Sequence, residues 1–163
     1  YKVLSIIFKD LREGKDMEII LVSACLLGYN TKYNGGNNYN PLIEKIREKY
    51  DIIPICPEQL GGLKTPRVPS EIKGDEVYSK ENKNVTSNFL EGSRKVANIA
   101  LYNRIKKAIL QENSPSCGVH NVYDGNFDNK LIEGNGITTK KLKSLGIECY
   151  TIEEFYEKYI ENK

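Results

Sequence analysis

The sequence predicts an α/β protein: a small doubly wound, mainly parallel sheet with helices on both faces. Two observations carry that expectation. Short apolar runs rich in β-branched residues alternate with stretches whose apolar residues recur at helical spacing. Three of those runs are each followed by a cysteine, Cys25, Cys56 and Cys117, and in open parallel sheets ligands bind beyond the carboxyl ends of the strands.

Taken in order, Glu18 to Ala24 is a buried parallel strand, short, continuous and β-branched-rich, and Cys25 follows it. A polar loop then carries Asn34-Gly35-Gly36-Asn37-Asn38, able to present backbone N–H groups to a ligand. Asn40-Pro41 starts a helix, Asn as cap and Pro at the first helical position. Leu42, Ile43, Ile46 and Tyr50 form its apolar face. Asp51 begins a second strand that ends at Cys56-Pro57-Glu58.

Residues 59–84 form a long irregular segment, with a short hairpin expected around Glu71 to Lys83. Such a loop in a compact domain is functional or disordered, and its place after Cys56 favours function. Thr86 or Ser87 is expected to cap a long helix with Phe89, Leu90, Val96, Ala97, Ala100 and Leu101 on its apolar face. A third strand spans about 105–111. Residues 118–135 read as loop, with Tyr123-Asp124-Gly125-Asn126-Phe127 as a tight turn. Gly136-Ile137 opens a helix that stops at Gly146. Ile147 to Tyr150 forms a fourth strand, and Thr151 caps a last helix reaching about Ile160.

At 163 residues the chain is long enough for one domain with a real core. Residues 17–163 are expected to form it. Residues 1–16 read either as an N-terminal extension, flexible or foreign to the native protein, with Met17 as the natural start, or as a short amphipathic helix. Lys and Arg total 24 against 22 Asp and Glu, a net charge of +2, so no electrostatic case arises for nucleic acid or an anionic membrane. No apolar run is long enough to span a bilayer, and no secretory signal is visible. A cytoplasmic location is expected, where cysteines serve metals or catalysis more often than disulfides. A monomer or homodimer is expected.

Cys25, Cys56 and Cys117 each sit beside turn chemistry, whereas Cys149 lies within a strand and reads as structural. Spacings of 31 and 61 residues suit a site assembled by the fold. Three thiols leave several chemistries open. With His120 they make a Cys₃His zinc site. Alone they hold a catalytic zinc, or a [4Fe–4S] cluster with one iron lacking a protein ligand. A metal-free nucleophilic cysteine needs a neighbouring base, and His120 is the sole imidazole. Glu58 is a candidate general acid/base. Ser114 and Ser116 are hydrogen-bond donors beside Cys117, Arg67 a clamp for a carbonyl or anion, and Tyr33 and Asn34 partners for a planar ligand. His120 is read as an exposed loop residue.

Together, Ser23-Ala24-Cys25-Leu26-Leu27-Gly28, Cys56-Pro57-Glu58 with Gly61-Gly62-Leu63, Pro66-Arg67-Val68-Pro69, Val85-Thr86 with Phe89 and Gly92, Ser114-Pro115-Ser116-Cys117-Gly118, and Tyr123-Asp124-Gly125 with Phe127 resemble the bacterial domain-of-unknown-function family 523. Its best-understood members are thiouracil desulfidases. The resemblance runs from about Met17 to Tyr150. It implies a [4Fe–4S] cluster held by Cys25, Cys56 and Cys117, an open iron that binds the sulfur of a small-molecule thio-nucleobase such as 2-thiouracil, and release of that sulfur as sulfide. It implies Glu58 and Ser114 as acid/base and proton or hydrogen-bond partner. Many relatives carry Cys-Arg-Tyr-Asp-Gly where this chain has Thr31-Lys32-Tyr33-Asn34-Gly35, and Asn84 replaces a usual Asp. These departures bear on the substrate and leave the three thiols untouched. The competing expectation is a non-catalytic zinc or iron–sulfur protein, or a sulfur carrier.

Overall fold

The computed structural model describes residues 16–162. The segment 1–16 that the sequence sets apart therefore lies, except for Asp16, outside the described residues. Four parallel strands make the central sheet: β1 (Ile19–Ser23), β2 (Asp51–Ile55), β5 (Lys107–Ile109) and β8 (Glu148–Tyr150), in the order β2-β1-β5-β8. Two antiparallel hairpins stand outside it, β3 (Ser70–Lys73) with β4 (Glu76–Ser79), and β6 (Asn121–Tyr123) with β7 (Leu131–Glu133). The helices are α1 (Leu42–Arg47), the single turn α2 (Pro57–Leu60), α3 (Thr86–Tyr102), α4 (Ile137–Ser144) and α5 (Ile152–Tyr156).

Side chains alternate across a strand, and β1 uses both faces. Leu21 joins Val96 and Ala100 of α3 and Leu142 of α4 on one side. Ile20 and Val22 join Ile43 and Ile46 of α1 and Ile152 and Phe155 of α5 on the other. All of these but Ile152 are fully buried, so β1 is apolar throughout because neither of its faces meets water. Pro54 is tolerated in β2 because that strand is an edge and a missing N–H leaves no ladder bond unmade. The chain steps one way from β1 to β2 and then reverses to β5 and β8, which puts the topological switch between β1 and β5. No helix among the described residues is long and apolar enough to cross a membrane.

Three local readings change. Thr86 does not cap α3: its hydroxyl accepts the Val77 amide of β4, and the Asn84 carboxamide oxygen accepts the Thr86 N–H instead. Residues 118–135 are not loop throughout but contain the β6–β7 hairpin. Its strands are three residues long and every residue of β7 is exposed, so they carry no detectable alternation of buried and exposed positions. The last helix begins as expected on a Thr151–Glu154 capping box, but its α-helical part ends at Tyr156 and a π-helical turn completes it.

Candidate functional site

The three cysteines meet at the carboxyl edge of the sheet. Cys25 lies in a 3₁₀ turn directly after β1, closed by Gly28 in the left-handed region at φ +95°. Cys56 ends β2 and starts α2, where Pro57 takes the first helical position. Cys117 closes the Ser114–Cys117 turn after β5. All three line one cavity of about 450 Å³, together with Glu58, Ser114 and Ser116. Burial pushes the Cys117 thiol well above its ordinary value; the Ser23 hydroxyl opposes this and the charges of Cys25, Glu58 and Cys56 add to it. Burial also raises Cys25, against a hydrogen bond from the Asn38 side chain.

Glu58 is fixed from two sides. Arg67 Nε and Nη2 both lie 2.6 Å from its Oε2, in a pair of side chains only 10% and 13% exposed. The Ser116 hydroxyl donates to its Oε1 at 3.1 Å. The rest of the Arg67 guanidinium is committed to the Thr31 carbonyl, the Thr65 hydroxyl and the Lys64 carbonyl. Arg67 lines the cavity, and with those partners its guanidinium is turned onto Glu58. Ser116, 1% exposed, serves the same carboxylate. Ser114 Oγ accepts the amides of Ser116 and Cys117, both at 3.1 Å. With both lone pairs engaged, what Ser114 has left for the cavity it lines is its O–H.

Tyr33 lines the cavity and is 41% exposed. Asn34 does not line it: its side-chain oxygen accepts the Gly36 amide and closes its own turn. The polar loop instead supplies Asn38, beside Cys25. His120 is also outside the cavity wall, with Nε2 2.6 Å from Glu154 Oε1 on the exposed surface. No imidazole is thus placed to serve a nucleophilic cysteine. Among the described residues no three His, Cys, Asp or Glu side chains gather as they would on a single metal ion; a cubane cluster spreads its ligand sulfurs wider than one ion does. Cys149 stays in β8, packed against the core.

Glu112 was not singled out by the sequence, yet it holds the Cys117 loop. Its Oε1 accepts the amides of Val119 (2.8 Å), His120 (3.0 Å), Asn121 (3.2 Å) and Asn113 (3.2 Å). Burial pushes this carboxyl up, but the amides of His120, Asn121, Asn113 and Val119 outweigh it and hold it below its ordinary 4.5. A lowered folded-state value adds stability that is present above 4.5 and is lost as pH falls through the folded value. Glu112→Gln is therefore expected to cost about 2 kcal/mol at pH 7. Its deficit against the wild type should shrink as the pH is lowered below 4.5. Denaturant midpoints of both proteins across that range check this; a constant gap would contradict it.

An α/β sheet whose switch-point edge gathers three thiols and a doubly anchored carboxylate offers the donor types that soft metals take. The chain belongs to the 2-thiouracil desulfurase family, whose model matches residues 20–154. That span contains Cys25, Cys56, Glu58, Ser114 and Cys117, as the motif resemblance requires. The chain is 37% identical over 138 residues to an uncharacterised protein of Bacillus subtilis (strain 168), YbbK, covering 78% of this chain and 91% of that one. Its structure is similar to that of the [4Fe–4S]-dependent thiouracil desulfidase TudS. The TM-score is 0.81 at 34% identity, over 86% of this chain and 94% of that one.

Proposed function

We propose that this protein removes sulfur from a thiolated nucleobase such as 2-thiouracil: water supplies the oxygen of the product carbonyl and sulfur leaves as sulfide. The observation that carries the reading is the convergence of Cys25, Cys56 and Cys117 on one cavity beside Glu58. Three thiols are the donor set for a [4Fe–4S] cluster with one iron free of protein ligand, and these three would hold it. When bound, such a cluster supplies a thiophilic metal site for a thiocarbonyl sulfur.

The remaining work falls to the chain. Glu58, held by Arg67 and Ser116, receives a proton from the attacking water. The free O–H of Ser114 donates to the reacting end of the substrate. Arg67 and Ser116 keep the Glu58 carboxylate in one orientation, so no reorganisation is needed as the proton moves. Tyr33, partly exposed on the cavity wall, is available to contact the base.

The test is anaerobic release of sulfide and uracil from 2-thiouracil by the iron-loaded protein. Glu58→Gln should keep the iron content of the wild type and lose turnover by about 10²-fold or more. Wild-type protein that carries iron but yields no sulfide would contradict the reading; undiminished turnover in Glu58→Gln would remove Glu58 from it.

A further inference from the structure

The Tyr123–Phe127 turn has no part in the chemistry above, yet a buried carboxylate is committed to holding it. Glu71 of β3, 9% exposed, accepts the amide of Gly125 at 3.0 Å and the amide of Phe127 at 3.1 Å through Oε1. Gly125 sits at φ +94°, and a Cβ there would meet the Ile72 carbonyl oxygen at 2.6 Å, so the turn lies flat against β3. Asp124 closes the tip by accepting the Asn126 amide at 2.9 Å. Phe127 itself is held at φ +54°, a conformation bulky residues rarely take. The product of these constraints is a half-buried phenylalanine on the wall of the cavity that the three cysteines line.

A sulfur-binding metal and a carboxylate act on a thiocarbonyl whatever it is attached to. Choosing a heterocyclic base over a small thioamide needs a surface that recognises a flat π-system. We infer that Phe127 is the specificity-determining residue for a planar nucleobase, which stacks on its ring. Glu71 is the positioning residue that holds it there through the backbone of the turn. The substrate class assigned, a free base with an exposed aromatic face, rests on the desulfuration reading.

The experiment uses the anaerobically purified, iron-loaded chain. Steady-state constants for 2-thiouracil are measured beside the affinity for uracil by equilibrium dialysis. Phe127→Leu should raise KM and weaken uracil binding about tenfold, a stacking-sized effect, with kcat within about twofold and iron content unchanged. Phe127→Tyr should restore both constants. Glu71→Ala should reproduce the KM defect, and Glu71→Gln, which keeps an acceptor for the two amides, should rescue it. Unchanged KM and uracil affinity in Phe127→Leu would overturn the inference, as would a loss of iron in that variant, which marks a merely structural role. If the wild type releases no sulfide, the desulfuration reading fails by itself and uracil binding still decides. Binding that Phe127→Leu weakens supports stacking, and a wild type that binds no uracil overturns it.

Discussion

Cys117→Ala is expected to bind no iron and to lose the brown chromophore entirely, while Cys149→Ala keeps both. The two residues differ in place, and the more exposed of them, Cys149, is the one off the cavity. Cys117 is 4% exposed and on the cavity wall with Cys25 and Cys56. Its loop is held by Glu112, by the Ser114 hydroxyl, and by the first amides of α4, which bond to the Pro115 and Ser116 carbonyls. Removing one of three thiolates leaves two ligands, too few to retain a cluster that normally takes four. Cys117→Ser should fail too, since a hard hydroxyl does not replace a soft thiolate. Cys149 sits in register with Ala108, packed against the core and away from the cavity wall. Anaerobic purification followed by metal analysis and circular dichroism separates lost ligation from lost folding. Iron retained in folded Cys117→Ala, or lost in Cys149→Ala, would break the ligand assignment.

Gly92→Ala is expected to destabilise the fold by about 3 kcal/mol and to empty the site with it. On helix propensity alone the change should stabilise by about 1 kcal/mol, so the sign is the test. Gly92 faces α2 across a close helix crossing. An added Cβ falls onto the Pro57 carbonyl, and the reciprocal position, Gly61, faces the Asn88 carbonyl in the same way. Both obstacles are backbone and cannot rotate aside. The turn that would be pushed off begins at Cys56 and carries Glu58, so the variant should lose the proposed ligand and the proposed acid/base together. Urea midpoints and iron content measure the two effects. A variant as stable as the wild type would contradict the crossing described here.

The sheet was legible in the sequence because its strands are short and the inner ones, β1 and β5, are buried on both faces, so their composition is largely uninterrupted. The three cysteines were legible as a set because Cys25 and Cys56 come at once after such strands and Cys117 after the turn that follows a third, and a parallel sheet has one carboxyl edge. Partners were harder. Nothing local says that Arg67 turns back onto Glu58 rather than outward, since that depends on the path of residues 59–66. Ser114 and Ser116 look alike in sequence, but one closes the turn and the other reaches Glu58. Asn34 and Asn38 share a loop, and only the fold decides which faces Cys25. Glu112 and Glu71 act on backbone amides that follow at a distance, up to 56 residues away for Glu71 and Phe127, where periodicity carries no information.

The most direct measurement is the iron and acid-labile sulfide content of wild-type protein purified without oxygen. Three thiols assembled around one open cavity predict about four irons and four sulfides per chain, the complement of a cubane cluster. A single zinc without sulfide, or a chain that takes up neither iron nor sulfide under reconstitution, would contradict the account.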